Sequence, residues 1–310
     1  MRYHCIIDAY SEDIIRQMEE LHAFKMAFLK EAEEGVSYVL CRDRTVVEGL
    51  GRRISGSAVD IIAEDYSPES VLDALGRETV SEDIYLFGSG ISGTELSVRL
   101  AARMKGSSVA AVHGLEWKEH VVVKKMVYAS HMEGTFRMKK GPYCISLAKG
   151  MDRKELEHGT FHFMKEMQCT GLPESVVSRK MTANEAAGGL DEAKVVIAAG
   201  RGIRNKENAD YLREAARAIG GELGVSRPAA MNAWAPMNRL IGVSGAMLQP
   251  DICITAGVSG AAAFYAGIEK SKFIVAINTD GQAPIMKKAD VAVADDFVPV
   301  IKALRKLAER

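Results

Sequence analysis

The sequence predicts an α/β protein of two domains, each a mainly parallel sheet flanked by helices. Its 310 residues are about twice the length of a typical domain of roughly 150 residues. Short runs rich in Val and Ile alternate with longer amphipathic stretches, a pattern typical of parallel strands covered by helices. The alternation fades over residues 148–191, where glycines accumulate, and then resumes. We therefore expect an N-terminal domain over 1–147, a linker over 148–191 and a C-terminal domain over 192–310.

Five short apolar runs predict the strands of the N-terminal domain. They lie at 3–8, 36–42, 59–62, 84–87 and 109–113. Helical periodicity predicts helices at 11–34, 68–76 and 93–104. Residues 120–147 show a different alternation, with patches such as VVVKKMVYA and PYCISLA. We expect them to form an antiparallel extension of the first sheet.

The same alternation predicts the elements of the C-terminal domain. Apolar runs predict strands at 194–200, 251–257, 272–278 and 290–295. Helices are expected at 206–219, 259–269 and from 298 to the end. In the first of these helices, apolar residues recur three or four positions apart and so share one helix face.

Composition excludes several classes of function. Forty Lys and Arg residues against 41 Asp and Glu give a formal charge of -1, so a charge-driven nucleic-acid binder is excluded. Five scattered cysteines fit a reducing cytosol, so we expect a cytoplasmic protein. The longest uncharged run, 252–268, has 17 residues and several glycines, so no membrane insertion is expected. His158 and His162 have helical spacing but no third ligand nearby, and we predict no metal site.

The segment from 120 to 140 also carries methionines and a basic cluster. Met126, Met132 and Met138 are expected to fill core space. The cluster at 137–140 is expected to form a solvated face or a contact to an acidic partner.

A GxGxxG motif is formed by Gly88, Gly90 and Gly93, between a predicted strand and a predicted helix. Such a loop can place backbone amides around a dinucleotide pyrophosphate. This loop follows a late strand of its domain instead of the first, and the motif alone is a weak signal. A tight turn is the simpler interpretation. An NAD-dependent oxidoreductase that uses the loop at 88–93 is kept as the alternative.

Two near copies of GVSGA begin at Gly242 and Gly257. Glycine lets the backbone approach a ligand closely, and serine adds a hydroxyl donor. Polar residues also follow the other strand ends, at Arg201, Ser226, Arg227, Asn278, Asp280 and Asp295. The carboxyl ends of parallel strands meet at one crevice, so these residues should converge on one ligand. If they only cap helices and form turns, the chain is a nucleotide-binding or structural module without a redox role.

Seven strings occur in order between residues 194 and 296: AGRGI, KENADYL, GVSRP, IGVSG, ITAGVSGA, IVAINTDGQAPI and VADD. This set resembles the FAD-binding domain of electron transfer flavoprotein alpha subunits. Upstream, LFGSGISGTELSVRLAARM is similar to the first domain of that family. The resemblance implies a Rossmann-like C-terminal domain that holds FAD and an N-terminal domain that packs on a beta subunit. The loop at 88–93 would then hold no flavin.

The resemblance also implies a function. The chain would be an electron carrier in a heterodimer with the beta subunit, and not a substrate-transforming enzyme. It would take electrons from acyl-CoA or other flavin dehydrogenases, as in fatty acid beta-oxidation, and pass them to a membrane or soluble acceptor. The donor, the acceptor, electron bifurcation and the role of residues 1–70 are left open.

Residue roles follow from the same resemblance. Arg201 and Ser226 would help to hold FAD, Arg227 would lie against the isoalloxazine ring, and Ser244 would approach flavin N5. The full set of expected cofactor contacts is Arg201, Ser226, Arg227, Ile241, Gly242, Val243, Ser244, Ser259, Gly260, Ala261, Ala262, Ala263, Phe264, Asn278, Asp295 and Asp296.

One position departs from the family pattern. The family usually continues its GxSGA motif with Ile-Gln-His, whereas this chain has Ala262, Ala263 and Phe264. A phenyl ring offers neither a proton nor a hydrogen bond. We therefore expect negative charge on the flavin to be less stabilised here than in relatives that have the histidine.

Overall fold

Parallel β-sheets form the centre of both halves of the chain, so the predicted α/β class is confirmed. The structure is a computed structural model that describes residues 1–11, 13–50, 56–128, 130–156, 161–169, 171, 173, 176, 178 and 189–308. The chain divides into two units, Met1–Lys180 and Met181–Arg310.

The first unit contains ten strands and four helices among its described residues. The strands are β1 (Arg2–Asp8), β2 (Glu33–Cys41), β3 (Gly56–Ile62), β4 (Ile84–Phe87), β5 (Ser107–Val112), β6 (Gly114–Glu116), β7 (Val122–Val127), β8 (Met132–Arg137), β9 (Tyr143–Leu147) and β10 (Phe161–Gln168). The helices are α1 (Ile14–Phe28), α2 (Arg44–Leu50), α3 (Pro68–Glu78) and α4 (Ile91–Met104).

Seven of these strands form one parallel sheet in the order β10-β3-β2-β1-β4-β9-β5. Apolar clusters lie on both of its faces. Phe24 of α1 and Val47 of α2 pack on one face, and Leu72 of α3 and Leu96 of α4 pack on the other. Burial on both faces explains why the strands read as continuous apolar runs.

The expectation for residues 120–147 is wrong in part. β7 and β8 are antiparallel, but with β6 they form a separate three-stranded sheet. β9 instead lies inside the main sheet, parallel to both β4 and β5. Four of its five residues are buried, which an extension at the edge would not allow.

Part of the predicted linker is also a strand. β10 pairs in parallel with β3 and forms one edge of the main sheet. Its exposed residues give it no long apolar run, and the strand with which it pairs lies far earlier in the chain. The linker prediction did not anticipate this strand.

The second unit is built on a five-stranded parallel sheet in the order β12-β11-β13-β14-β15. Its strands are β11 (Val195–Ala199), β12 (Glu222–Val225), β13 (Ile252–Ala256), β14 (Phe273–Ile277) and β15 (Val291–Val293). Its helices are α5 (Lys206–Ala218), α6 (Arg227–Met231), α7 (Ala262–Tyr265) and α8 (Phe297–Ala308). Leu212 of α5 and Ile301 of α8 cover one face of the sheet. Phe264, Ile268 and Ile285 belong to the cluster on the other.

The helix expected at 259–269 is shorter in the structure, where only the single turn of α7 is helical. Gly260 has φ +83°, and a Cβ on Gly267 would lie 2.5 Å from the backbone nitrogen of Gly242. A positive φ breaks the helix before α7. After α7, close backbone packing requires a glycine.

Among the described residues, no helix is both long enough and apolar enough to cross a bilayer.

Candidate functional site

The expected cofactor residues follow the carboxyl ends of the second sheet. All neighbouring strands are parallel, so the segments after β11, β12, β13, β14 and β15 leave from the same edge. The strand order reverses between β11 and β13. In doubly wound α/β folds such a reversal opens a crevice in which ligands bind.

Backbone contacts between glycines join the two loops at this reversal. Gly200 donates its N–H to the carbonyl of Ala256 across 2.8 Å, and Gly202 donates to Gly257 across 2.9 Å. A Cβ on Gly200 would lie 2.2 Å from the carbonyl oxygen of Gly257, whose own φ is +61°. Gly200 and Gly202 were not among the residues predicted from the sequence. A glycine directly after each of two adjacent strands is the signal that could have found them.

Ser226 carries an unused hydroxyl at the end of β12. Its backbone N–H bonds to the carbonyl of Ala199 at 2.9 Å, and the residue is 7% exposed. It stands at the N-cap of α6 but makes no capping hydrogen bond. Its Oγ is buried and has no hydrogen-bond partner in the described part of the chain. Buried hydroxyls are usually satisfied, so this oxygen fits a ligand contact.

Asp295 and Asp296 behave differently from Ser226. Asp296 accepts a hydrogen bond from the backbone N–H of Val298 at 2.9 Å and forms an ion pair with Arg204 at 3.0 Å. It therefore caps α8, as the capping interpretation expects. Asp295 is exposed and accepts from the N–H of Asp296 at 2.7 Å. Arg204 was also not predicted from the sequence.

The first GVSGA loop is bound to the start of α7. Val243 donates its N–H to the carbonyl of Ala263 across 2.9 Å. Gly242 has φ +119°, and a Cβ there would lie 2.4 Å from that same carbonyl oxygen. The Ser244 side chain next to it is exposed, and Ile241 is buried. The loop thus presents a serine from a fixed backbone.

The second GVSGA loop is held by the segment that contains Ile285. The carbonyl of Ser259 accepts the N–H of Ile285 at 3.1 Å, while the Ser259 side chain is exposed. Gly260 lies so close to Ile285 that a Cβ would come within 2.5 Å of its nitrogen. No side chain caps α7 at Ala261. Backbone amides, without the dipole of a long helix, would have to contact a diphosphate here.

Two exposed arginines stand at the same edge. Arg201 follows β11 in a short 3₁₀ turn, and Arg227 begins α6 after β12. Cations at the rim of a crevice attract an anionic ligand.

Asn278 supports the loop after β13. Its side-chain Nδ2 donates to the carbonyl of Val258 at 2.7 Å, and its Oδ1 accepts from the N–H of Asp280 at 3.0 Å. Both ends of the amide therefore bond protein groups. The side chain fixes the position of this loop.

Phe264 is 7% exposed, and its side chain belongs to the apolar cluster that includes Ile241, Val258 and Ile285. The ring therefore lies mainly in the core. Its neighbour Ala263 is exposed and faces the first GVSGA loop through its carbonyl.

The loop at 88–93 is a tight turn held by carboxylates. A Cβ on Gly93 would lie 2.2 Å from the carbonyl oxygen of Gly88. Ser89 Oγ donates to Glu20 at 2.7 Å, and Ser92 Oγ donates to Asp8 at 2.5 Å. Both carboxylates are buried. A pyrophosphate at this helix start would meet two negative groups, which disfavours the NAD alternative.

The residues described include no group of His, Cys, Asp and Glu that could hold a metal ion. His162 lies on the strand β10, so helical spacing does not apply to it. His158 lies outside the described residues.

Known proteins are similar in sequence to this chain, both within the second unit and over most of its residues. A family model described as the electron transfer flavoprotein FAD-binding domain matches residues 189–269. The putative electron transfer flavoprotein subunit YgcQ of Escherichia coli (strain K12) is 36% identical over 243 residues, covering 76% of this chain and 82% of that protein. Protein FixB of Shigella dysenteriae serotype 1 (strain Sd197) is 31% identical over 270 residues, 81% of each chain.

The fold defines a two-unit α/β protein with a candidate ligand crevice at the carboxyl edge of a doubly wound sheet. With these matches, the chain belongs to the alpha-subunit family of electron transfer flavoproteins. The resemblance seen in the sequence is confirmed, and with it a role in electron transfer.

Proposed function

We propose that this chain is an electron carrier subunit that holds FAD at the carboxyl edge of its second sheet. The observation that carries the proposal is the buried Oγ of Ser226 at that edge, which has no partner in the described part of the chain. A ligand atom that accepts or donates a hydrogen bond there removes the cost of leaving the hydroxyl unpaired. The family match over 189–269 supports flavin as the ligand.

The other candidate residues would contact different parts of the cofactor. Arg201 and Ser226 would hold it, and the amides from Gly257 to Ala261 would contact the diphosphate. The loop of Gly242, Val243 and Ser244 would line the edge of the flavin ring. Asp295 and the loop fixed by Asn278 would meet the adenosine end. When bound, FAD supplies the acceptance and release of electrons, and the protein sets its potential and exposure.

Arg227 has a distinct task in this proposal. A guanidinium beside the isoalloxazine ring would favour its negatively charged forms, because charges act strongly in a site poor in water. Phe264 can donate no proton or hydrogen bond to the flavin. In this proposal the stabilisation of negative charge on the ring would therefore depend mainly on Arg227.

The proposed partners are a beta subunit, which the N-terminal unit would contact, and acyl-CoA or other flavin dehydrogenases in the cytoplasm. The name of one relative, a putative electron transfer flavoprotein subunit, supports an assembly of more than one subunit. The carrier would pass electrons on to a membrane or soluble acceptor.

The test is the absorption spectrum and cofactor content of the chain co-purified with a beta subunit from the same organism. We expect a yellow complex that releases FAD on denaturation. Arg227→Gln should lower the midpoint potential of the flavin. The control is Arg217→Gln, an exposed arginine at the end of α5, on the opposite edge of the sheet.

The alternatives give different results. A colourless protein that binds NAD and loses it on Gly90→Val would replace the proposal with an NAD-dependent oxidoreductase. A protein with no chromophore and no ligand lost on Arg227→Ala would replace it with a module without redox function.

A further inference from the structure

Arg204 has an unusual backbone conformation at the carboxyl edge of the second sheet. It directly follows the 3₁₀ turn of residues 201–203, and its φ is +78°. A positive φ is uncommon for residues other than glycine and costs stability. Such strain persists where the surrounding contacts hold the residue in place.

The guanidinium of Arg204 makes a contact of this kind. Its Nη2 lies 3.0 Å from Oδ2 of Asp296, which is 92 residues later in the chain. Arg204 follows β11 and Asp296 follows β15, with β13 and β14 between these strands in the sheet. Three strand spacings amount to about 14 Å. The ion pair therefore joins two loops at distant positions along the same edge.

Asp296 is itself fixed at the start of α8. Its Oδ1 accepts the N–H of Val298 at 2.9 Å, so its other oxygen is the one that meets Arg204. The next residue, Phe297, is buried in the core of this unit. The ion pair thus holds the turn after β11 against an ordered helix start.

Asp295 is oriented by the same part of the backbone. Its Oδ1 accepts the N–H of Asp296 at 2.7 Å. Among the described residues, no hydrogen bond engages its Oδ2, and the side chain is exposed. A carboxylate oxygen forms strong, charge-assisted hydrogen bonds with hydroxyl groups. The free oxygen therefore suits the ribose hydroxyls of an adenosine group.

Arg201 lies at the other end of the turn that Arg204 closes. The carbonyl of Arg201 accepts the N–H of Arg204 at 3.2 Å, so the two residues hold a fixed relation through the backbone. The side chain of Arg201 is exposed and forms no ion pair within the described ranges. Asp296 compensates the charge of Arg204, whereas the charge of Arg201 stays available to an anionic ligand.

We propose that Arg204 is a positioning residue for the adenosine end of FAD. Through its ion pair with Asp296 it sets the separation between the turn that carries Arg201 and the carboxylate of Asp295. One cofactor molecule can then contact both. The guanidinium of Arg204 itself touches no part of the cofactor. This inference rests on the proposed function, which places FAD at this edge.

The exposure of the ion pair limits the size of its effect. The side chain of Arg204 is 65% exposed and that of Asp296 is 32% exposed. Exposed ion pairs contribute little free energy and are screened by salt. The expected loss on breaking the pair is therefore a salt-dependent decrease in affinity and not the absence of cofactor.

The test measures the affinity of the apo complex with the beta subunit for FAD and for FMN, by quenching of flavin fluorescence. Arg204→Gln removes the charge and keeps the backbone strain. We expect it to raise the dissociation constant of FAD roughly threefold to fivefold at low salt, and less at about 0.5 M salt. FMN has no adenosine, so its dissociation constant should not change. A general loss of stability would weaken the binding of both flavins.

Two further variants serve as controls. Arg204→Lys keeps the positive charge and should bind FAD within about twofold of wild type. Arg213→Gln removes an exposed ion pair with Asp210, which lies within α5 and joins no separate segments. It should leave the affinities for FAD and FMN unchanged.

An Asp296→Asn background tests whether Arg204 acts through Asp296. Asparagine can still accept the N–H of Val298 and cap α8, but it has no charge for Arg204. In this background Arg204→Gln should no longer change the affinity for FAD. If the loss persists, Arg204 contacts the cofactor itself, and the positioning role is wrong.

The remaining outcomes separate this inference from the proposed function. A wild-type complex that binds no flavin would remove both. If the wild-type complex binds FAD and Arg204→Gln binds it equally well, only the role of Arg204 fails. If Arg204→Gln weakens FAD and FMN by the same factor, the ion pair stabilises the unit as a whole, which would overturn the assignment to the adenosine end.

Discussion

The backbone N–H of Val243 and the carbonyl of Ala263 are 2.9 Å apart and hydrogen-bonded, which joins the first GVSGA loop to the helix that follows the second. In the proposed function one loop lines the flavin ring and the other contacts the diphosphate. The bond means that a shift of either loop moves both parts of the site.

Gly242→Ala should disrupt this junction. Its φ of +119° disfavours any side chain, and the new Cβ would lie 2.4 Å from the Ala263 oxygen. We expect the free energy of unfolding to fall by about 3 kcal/mol and bound flavin to be lost. Urea unfolding and flavin absorbance measure the two effects. Gly220→Ala is the control, with φ +70° and open space around it. Equal losses of unfolding free energy and of bound flavin in the two variants would refute the role of the junction.

Ser226→Ala should change stability and affinity in opposite directions. Without ligand, it removes an unpaired buried hydroxyl and should stabilise the fold by roughly 1 kcal/mol. With FAD, it removes a contact and should weaken binding roughly fivefold to tenfold. Thr255→Val is the control, since Thr255 Oγ1 is also buried without a partner in the described chain but lies within β13. Equal FAD affinity in Ser226→Ala and wild type would contradict the proposed contact.

Phe264→His should lower stability instead of restoring the family's chemistry. The ring packs in an apolar cluster, where an imidazole would lack water and partners. We expect a loss on the order of 2 kcal/mol, with little change in flavin potential. Phe264→Leu keeps the apolar character and should lose less. A stable histidine variant with a raised potential would place this side chain at the flavin.

The pair His4 and Asp83 should make stability depend on pH. His4 Nδ1 accepts the N–H of Val36 at 3.0 Å, and its Nε2 lies 3.1 Å from Asp83 Oδ2, so the imidazole is neutral. Burial lowers the pKa of His4 from 6.5. Protonation is therefore easier in the unfolded chain, so stability is full above about 6.5 and falls as pH drops further.

Urea unfolding at about pH 7.5 and about pH 5.5, on either side of the ordinary histidine pKa, measures this dependence. His4→Gln should reduce the difference between the two pH values, whereas His131→Gln, at an exposed site, should retain it. Unchanged pH dependence in His4→Gln would exclude His4 as its source.

Asp60 should make stability depend on pH in the direction opposite to that of His4. It is fully buried, neither carboxylate oxygen has a hydrogen-bond partner within the described residues, and burial raises its pKa from 3.8. The folded chain holds this proton more tightly, so stability declines as pH rises from about 3.8 through the raised pKa. Asp60→Asn should therefore be more stable at neutral pH, by roughly 1 kcal/mol. Glu166 is exposed and lies opposite Asp60 on β10. Glu166→Gln should therefore change the stability at neutral pH less than Asp60→Asn does.

Local patterns predicted the strands well, and pairings between distant segments poorly. The run at 84–87 is bounded by a turn and by Gly88, and β4 has the same limits. β10 depends on pairing with β3, far earlier in the chain, which no local pattern records. The one-turn length of α7 depends on contacts of Gly260 and Gly267 with other segments.

In the candidate site, too, the sequence predicted some features and missed those that depend on contacts in three dimensions. Topology alone brings the strand-end residues to one edge, so the sequence predicted their convergence. It could not separate Ser226 from Asp296, because serine and aspartate suit both a helix cap and a ligand contact. Only hydrogen bonds in three dimensions distinguish them.

The contact of Gly200 and Gly202 with Gly257 has a consequence for how this chain can vary. Main-chain contacts join the two loops directly at the strand reversal, and the Asn278 amide adds a further bond to the second loop. Substitutions of exposed rim residues such as Arg201 and Arg227 can then change the charge around the crevice while the backbone that forms it keeps its position.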